Sequence, residues 1–118
     1  HLGKNDMSIQ DARKLLGSEY IIGKTAHTND EITNDADYIG VGAMFASKTK
    51  PEVQVASLGL LKNALAYNHL AIGGITPENV NQLYTAGCKG IAVSSAIAHS
   101  NTPEKIVAAL LQPEHQSA

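Results

Sequence analysis

The stretch LAIGGITPEN, residues 70–79, decides how the rest of this chain is interpreted. A short apolar run ends at Gly73-Gly74, and the residues that follow predict a helix with Thr76 as its cap and Pro77 as its first position. Two glycines between a strand and a helix let backbone N–H groups approach a ligand with no side chain in the way. This arrangement suits a phosphate, although it also fits an ordinary strand-to-helix turn.

A second stretch, GIAVSSAI at residues 90–97, repeats the pattern. Its apolar run ends at Ser94-Ser95, which offer small hydroxyl groups beside further backbone N–H groups. The spacing between the two stretches leaves room for one helix. The last two units of a (β/α)₈ barrel hold a phosphate with two such strand ends.

Predicted strands and helices alternate along the whole chain. Strands are expected at about residues 20–25, 38–45, 70–72 and 91–93, and helices at about residues 8–17, 57–67, 77–86 and 102–111. The strands are apolar on both faces and their connections are too long for hairpins, which predicts a parallel sheet covered by helices. Periodicity alone does not separate a barrel from an open doubly wound sheet.

Local details refine this prediction. A helix on Ile9 should bury Leu15 and Leu16, and the capping pair Thr28 and Glu31 should start a helix of about two turns. The opening residues HLGKND resemble a strand end and its exit loop without the body of the strand. We therefore expect further residues to precede them.

Composition indicates one soluble, cytoplasmic globular unit. The 118 residues are 43% hydrophobic and 17% charged with a net charge of −2, so neither a nucleic-acid partner nor a membrane span is expected. The lone Cys88 is interpreted as a buried small hydrophobe. Residues 1–112 are assigned to one domain and residues 113–118 to a polar tail.

Polar residues follow each predicted strand at its carboxyl end. Because the carboxyl ends of parallel strands share one edge, these residues should converge on one pocket. They offer one carboxylate, several hydroxyls, one lysine and two glycines, a set suited to holding phosphate and a divalent cation. The residues are Asp6, Thr25, His27, Ser47, Thr49, Lys50, Gly73, Gly74, Ser94 and Ser95.

Taken in order, the motifs HLGKND, GKTAHT, YIGVGAMF with SKTKP, AIGGITPEN and GIAVSSAI resemble the second half of thiamine phosphate synthase. The resemblance implies a (β/α)₈ (TIM) barrel, of which this chain would carry the end of strand 4 to helix 8. It also implies an Mg²⁺-dependent transferase. That enzyme joins 4-amino-2-methyl-5-hydroxymethylpyrimidine diphosphate to thiazole phosphate and releases diphosphate.

The resemblance also implies roles for single residues. Lys50, which would meet the diphosphate, and Thr25, which would contact the pyrimidine substrate, take the catalytic positions. The remaining positions are a magnesium ligand at Asp6, hydroxyls beside the thiazole phosphate at Ser47 and Thr49, and the thiazole-phosphate cradle at Gly74, Ser94 and Ser95. From the residues alone, Asp6 also fits a loop or capping aspartate, and Lys50 a solvated surface lysine.

Other interpretations stay open. A thiazole tautomerase shares the histidine of GKTAHT, here His27, which we leave out of the catalytic set, and a non-catalytic phosphate-binding fragment would keep only the cradle. The loop SKTKP and Asp6 favour the synthase. The family's first strands, with their basic residues and a second acidic metal ligand, are not in this sequence. We therefore expect that N-terminal half, or a second copy of this chain, to cover its open edges, and we expect activity only when the N-terminal half is supplied.

Overall fold

The computed structural model describes residues 1–46 and 54–111, and its centre is a four-stranded parallel sheet. The strands are β1 (Gly23–Ala26), β2 (Tyr38–Val41), β3 (His69–Ile72) and β4 (Ile91–Ala92), and they lie side by side in chain order. Leu2 adds one parallel bridge to Lys24 at the outer edge of β1. The predicted parallel α/β fold is confirmed, and HLGKND does begin beside β1 as a strand end.

Three of the strands, β1, β2 and β4, are shorter than predicted. Tyr20 and Ile21 were expected in the first strand, but they precede it and are 61% and 78% exposed. Hydrophobicity alone therefore overestimated the length of this strand. Among the described residues, no neighbouring strand pairs with Tyr20 or Ile21.

Five helices accompany the sheet: α1 (Ile9–Leu16), α2 (Leu58–Ala64), α3 (Val80–Thr85), α4 (Ser95–Ala98) and α5 (Pro103–Leu111). The hydroxyl of Ser8 accepts the Asp11 N–H at 3.1 Å, so this predicted cap is confirmed. The prediction that a helix begins at Pro77 is wrong. A turn spans residues 76–79 first, in which the Thr76 N–H donates to Oδ1 of Asn79 at 2.8 Å. Helix α4 was not predicted.

The connection from β1 to β2 holds only one 3₁₀ turn, Asn29–Glu31. The prediction of two helical turns is wrong, because the backbone at Ile32 is already extended, with φ −74° and ψ 123°. The chain then returns directly to the sheet, where the Asp37 N–H donates to the Ile22 carbonyl at 2.7 Å. This short crossover returns the chain from the carboxyl end of β1 to the amino end of β2, where Tyr38 pairs with Gly23.

The buried core lies on one face of the sheet. Side chains alternate along a strand, so Ile39 and Val41 point to this face, where they pack with Leu61 and Leu83. All five helices contribute residues to this cluster or pack against it. The residues of the alternate set on the opposite face are Gly23, Thr25, Tyr38, Gly40, Leu70, Ile72 and Ala92.

Two expectations about burial are corrected and one is confirmed. Leu15 and Leu16 of α1 are 73% and 49% exposed, so in α1 the buried residue is Ala12. Cys88 is buried, and its Sγ lies 3.0 Å from the Gly90 carbonyl oxygen, as expected for a small core residue. Within residues 1–46 and 54–111, no helix has the length and apolar character needed to cross a membrane.

Candidate functional site

The candidate site is the edge of the sheet at which its parallel strands end. Ala26 pairs with Val41, Val41 with Ala71, and Ile72 with Ala92, so all four strands end at similar heights. Adjacent strands lie about 4.8 Å apart. Short loops leaving such an edge therefore share one rim, as the sequence predicted.

Five of the predicted site residues lie along this rim: Asp6, Thr25, Gly74, Ser94 and Ser95. Three others, Ser47, Thr49 and Lys50, lie outside the described residues, as does the predicted tail at residues 113–118. Their assigned roles stay predictions.

Thr25 sits within a hydrogen-bonded chain of three side chains. Its hydroxyl is 2.7 Å from Nε2 of His1, and Nδ1 of His1 is 3.0 Å from the hydroxyl of Tyr38. Thr25 is only 8% exposed, and the rings of His1 and Tyr38 stack with centroids 5.6 Å apart. Sequence reasoning selected Thr25 and missed His1. The available signal was its position at a strand end, five residues before Asp6.

The Gly73-Gly74 turn has a packing role as well as a location at the rim. Both glycines have positive φ, 94° and 66°. The Gly73 carbonyl accepts the Phe45 N–H at 3.1 Å, and a Cβ on Gly74 would come within 2.3 Å of the Phe45 carbonyl oxygen. The backbone after β2 therefore lies directly against this turn, which leaves no room for a side chain on Gly74 itself.

The Ser94-Ser95 turn begins helix α4. The Ser94 carbonyl accepts the Ala98 N–H at 2.9 Å, which closes the helical turn, and both serines are exposed. The first N–H groups of a helix have no partner within the helix. Since Ile72 pairs with Ala92, Gly74 and Ser94 each follow the paired residue of their strand by two positions. The two predicted halves of the phosphate cradle are thus neighbours on the rim.

Asp6 lies in an exposed loop that it helps to close. Its Oδ2 accepts the Gly3 N–H at 2.6 Å, and its Oδ1 has no hydrogen-bond partner among the described residues. In residues 1–46 and 54–111, no group of three or more His, Cys, Asp or Glu side chains could enclose a metal. Mg²⁺ commonly keeps several waters and binds one or two carboxylates together with substrate phosphates. The magnesium role of Asp6 stays a prediction.

A cavity of about 340 Å³ opens at the same rim, and its lining includes Lys4, His27, Thr28 and Gly42. Glu31 supports this wall of the cavity, because its Oε1 accepts the N–H groups of His27 and Thr28 at 2.9 and 3.1 Å. Partial burial raises the pKa of Glu31, but the hydrogen bonds from His27 and Thr28 outweigh it and lower the pKa overall. The cavity also places the cationic side chain of Lys4 at the rim, and the sequence did not predict this residue as part of the site.

The fold and its rim together define an α/β protein with its candidate ligand site beyond the carboxyl ends of a parallel sheet. Residues 1–97 match the sequence model of the family described as thiamine monophosphate synthase, and the chain therefore belongs to that family. The resemblance inferred from the motifs is confirmed.

Individual relatives agree with the family match. The thiamine-phosphate synthase of Synechococcus sp. (strain CC9311) is 40% identical over 95% of this chain, which corresponds to 34% of the relative. That of Nitrosococcus oceani is 43% identical over 95% of this chain and 55% of the relative. The solved thiamine phosphate pyrophosphorylase from Pyrococcus furiosus is 29% identical with a TM-score of 0.78, over 93% of this chain and 55% of that structure. The chain thus spans about a third to just over half of these relatives.

Proposed function

We propose that the protein acts as a thiamine phosphate synthase. In that reaction, 4-amino-2-methyl-5-hydroxymethylpyrimidine diphosphate and thiazole phosphate give thiamine phosphate and diphosphate. The observation that carries the proposal is the family match over residues 1–97, which includes every described rim residue assigned to a substrate. The relatives named above are synthases, and none of their names indicates a tautomerase.

We infer that the sheet is part of a closed (β/α)₈ barrel and contributes the end of strand 4 to helix 8. Two features support this inference over a doubly wound sheet. The strands follow one another in chain order without a reversal, and the helices pack on one face instead of both. The opposite face, with Leu70 and Ile72, would then point into the barrel.

Completion of the barrel needs a partner for the outer edges of the sheet. β4 has two residues, and among the described residues only the single bridge at Leu2 pairs with β1 on its far side. The apolar side chains of Leu15, Tyr20 and Ile21 are also exposed. Open edges and apolar faces favour pairing with further chain. We propose that the family's N-terminal half, or a second copy of this chain, covers them.

The rim residues divide the two substrates between them in this proposal. Thr25 contacts the pyrimidine, while the turns at Gly74 and Ser94-Ser95 hold the thiazole phosphate through backbone N–H groups and hydroxyls. Because β1 and β3 are separated only by β2, the two substrates lie side by side on the rim. Such placement brings the thiazole nitrogen next to the pyrimidine methylene carbon.

The reaction needs charge stabilisation more than proton transfer. The methylene C–O bond breaks with its electron pair going to diphosphate, and the thiazole nitrogen lone pair forms the new C–N bond. Lys50 is proposed to stabilise the negative charge that develops on the leaving group. Asp6 would hold Mg²⁺, which supplies Lewis-acid stabilisation of the diphosphate when bound.

Two matched variants test this assignment on the protein at its full natural length. Thr25→Val removes a hydroxyl at nearly constant volume and should raise the KM for the pyrimidine diphosphate about tenfold, the effect of one hydrogen bond. Ser94→Ala should raise the KM for thiazole phosphate instead. Thiamine phosphate formation, measured by chromatography with each substrate varied in turn, separates the two effects.

Absence of thiamine phosphate formation by the wild-type protein, with both substrates and Mg²⁺ present, would contradict the proposed synthase. Interconversion of thiazole phosphate tautomers without the pyrimidine substrate would support the tautomerase interpretation instead. A cooperatively unfolding 118-residue monomer that makes thiamine phosphate by itself would refute the need for the remaining barrel.

A further inference from the structure

In the hydrogen-bonded chain from Tyr38 through His1 to Thr25, Thr25 has a role in the proposed function, whereas His1 and Tyr38 have none so far. The three side chains come from adjacent strands of the sheet: His1 from the strand end beside β1, Thr25 from β1 and Tyr38 from β2. They lie on the sheet face that is not covered by the described helices. The contacts of 2.7 and 3.0 Å use both nitrogens of the imidazole, so the ring is held at two points.

The backbone under these rings is adapted to hold them. A Cβ on Gly40 would lie 2.9 Å from Cε1 of His1, and a Cβ on Gly23 would overlap the ring of Tyr38. Glycine weakens a strand interior, and its presence there often marks a place where another group must approach closely. Two strand glycines thus make room for the two aromatic rings that orient Thr25.

We propose that His1 is a positioning residue for the Thr25 hydroxyl, and that Tyr38 sets the orientation of the imidazole. This inference rests on the proposed role of Thr25 as the pyrimidine contact. In each neutral tautomer, both imidazole nitrogens are satisfied. Thr25 keeps two hydrogen-bonding functions for a ligand: its O–H and one lone pair when Nε2 donates to it, and two lone pairs when Nε2 accepts its O–H. His1 therefore limits the directions in which Thr25 can bond without touching the substrate itself.

Kinetics of the full-length protein test the proposal. His1→Ala should raise the KM for the pyrimidine diphosphate about tenfold and leave the KM for thiazole phosphate within about twofold, because only the Thr25 side of the rim loses its orientation. Tyr38→Phe keeps the ring and should give a smaller rise of about threefold in the same KM. His1→Gln, which returns an amide near the Nε2 position, should restore part of the loss.

His69→Ala is the matched control for the loss of a structural imidazole. His69 bridges two loops at the opposite end of the sheet, where Nε2 accepts the Lys89 N–H at 3.1 Å and Nδ1 lies 2.9 Å from the Tyr67 carbonyl oxygen. Its removal should lower Tm without changing the ratio of the two KM values. If His1→Ala raised both KM values equally, or neither, His1 would have only a structural role and the proposal would be wrong.

A spectroscopic measurement separates this proposal from the proposed function. The imidazole ¹⁵N shifts of His1 should change in Thr25→Val at Nε2 and in Tyr38→Phe at Nδ1, whether or not the protein is a synthase. Unchanged shifts in both variants would overturn the positioning role. If the shifts changed but the protein had no synthase activity, the hydrogen-bonded chain would be supported and the role of Thr25 as the pyrimidine contact would be rejected.

Discussion

Replacement of Gly74 by alanine should destabilise the fold strongly, although the residue lies at the rim of the candidate site. Gly74 has φ 66°, where an L-residue costs about 1–2 kcal/mol. The added Cβ would lie 2.3 Å from the Phe45 carbonyl oxygen and 3.0 Å from the Phe45 Cβ, and relieving such overlap costs about 1–3 kcal/mol more. The expected loss is therefore about 2–5 kcal/mol in the free energy of unfolding.

Urea denaturation followed by far-UV circular dichroism measures this loss. With an m-value of about 1–3 kcal/mol per molar urea, the midpoint should fall by at least about 0.7 M. Gly17→Ala is the matched control, because Gly17 also has positive φ, 86°, but nothing lies within 4 Å of its Cβ position. The control shows the backbone cost of a side chain at positive φ, here with ψ −177°, without a clash.

The outcome that refutes this reasoning is equal destabilisation by Gly74→Ala and Gly17→Ala, since the clash with Phe45 would then contribute nothing. The same structural facts change the expected effect of valine at position 74. Such a variant would lose ligand binding together with stability, so it is a poor probe of the cradle, and Ser94→Ala is the better one.

Three further predictions concern charged residues. Lys50→Ala should lower kcat about a hundredfold, equivalent to about 3 kcal/mol, and change the KM for thiazole phosphate little. A fall in kcat of less than about threefold would mean that Lys50 has no catalytic role. Asp6→Asn should weaken the Mg²⁺ dependence of activity on the order of tenfold, and an unchanged Mg²⁺ titration would remove Asp6 from the metal site. Hydrogen bonds from the Ile22 N–H and from Arg13 lower the pKa of Asp37. The ionised carboxylate therefore stabilises the fold above the ordinary aspartate pKa of about 3.9, and this stabilisation is lost as the pH falls further. Asp37→Asn should therefore lower Tm at pH 7, and the difference from wild type should shrink below about pH 4; a difference independent of pH would contradict this assignment.

Short-range signals in the sequence predicted much of the local structure. Ser8 and Ser57 cap helices through their own hydroxyls, and Pro103 begins α5, because these effects depend on residues three or four positions apart. The alternation of strands and helices along the chain predicted the parallel sheet. The family resemblance followed from motifs at the strand ends, where residues that meet ligands are concentrated.

The tertiary structure decided which surfaces are buried and which residues meet. Leu15 lies on the apolar side of an amphipathic helix, yet it is exposed, since burial depends on what packs against the helix. The contact of His1 with Thr25 joins residues 24 positions apart, and that of Gly74 with Phe45 joins residues 29 apart. The sequence by itself thus determined the class of fold, the cap of α1 and five of the described rim residues. Only the packing of strands brought His1 onto Thr25 and the Phe45 backbone onto Gly74, because such contacts depend on sheet register and not on neighbouring residues.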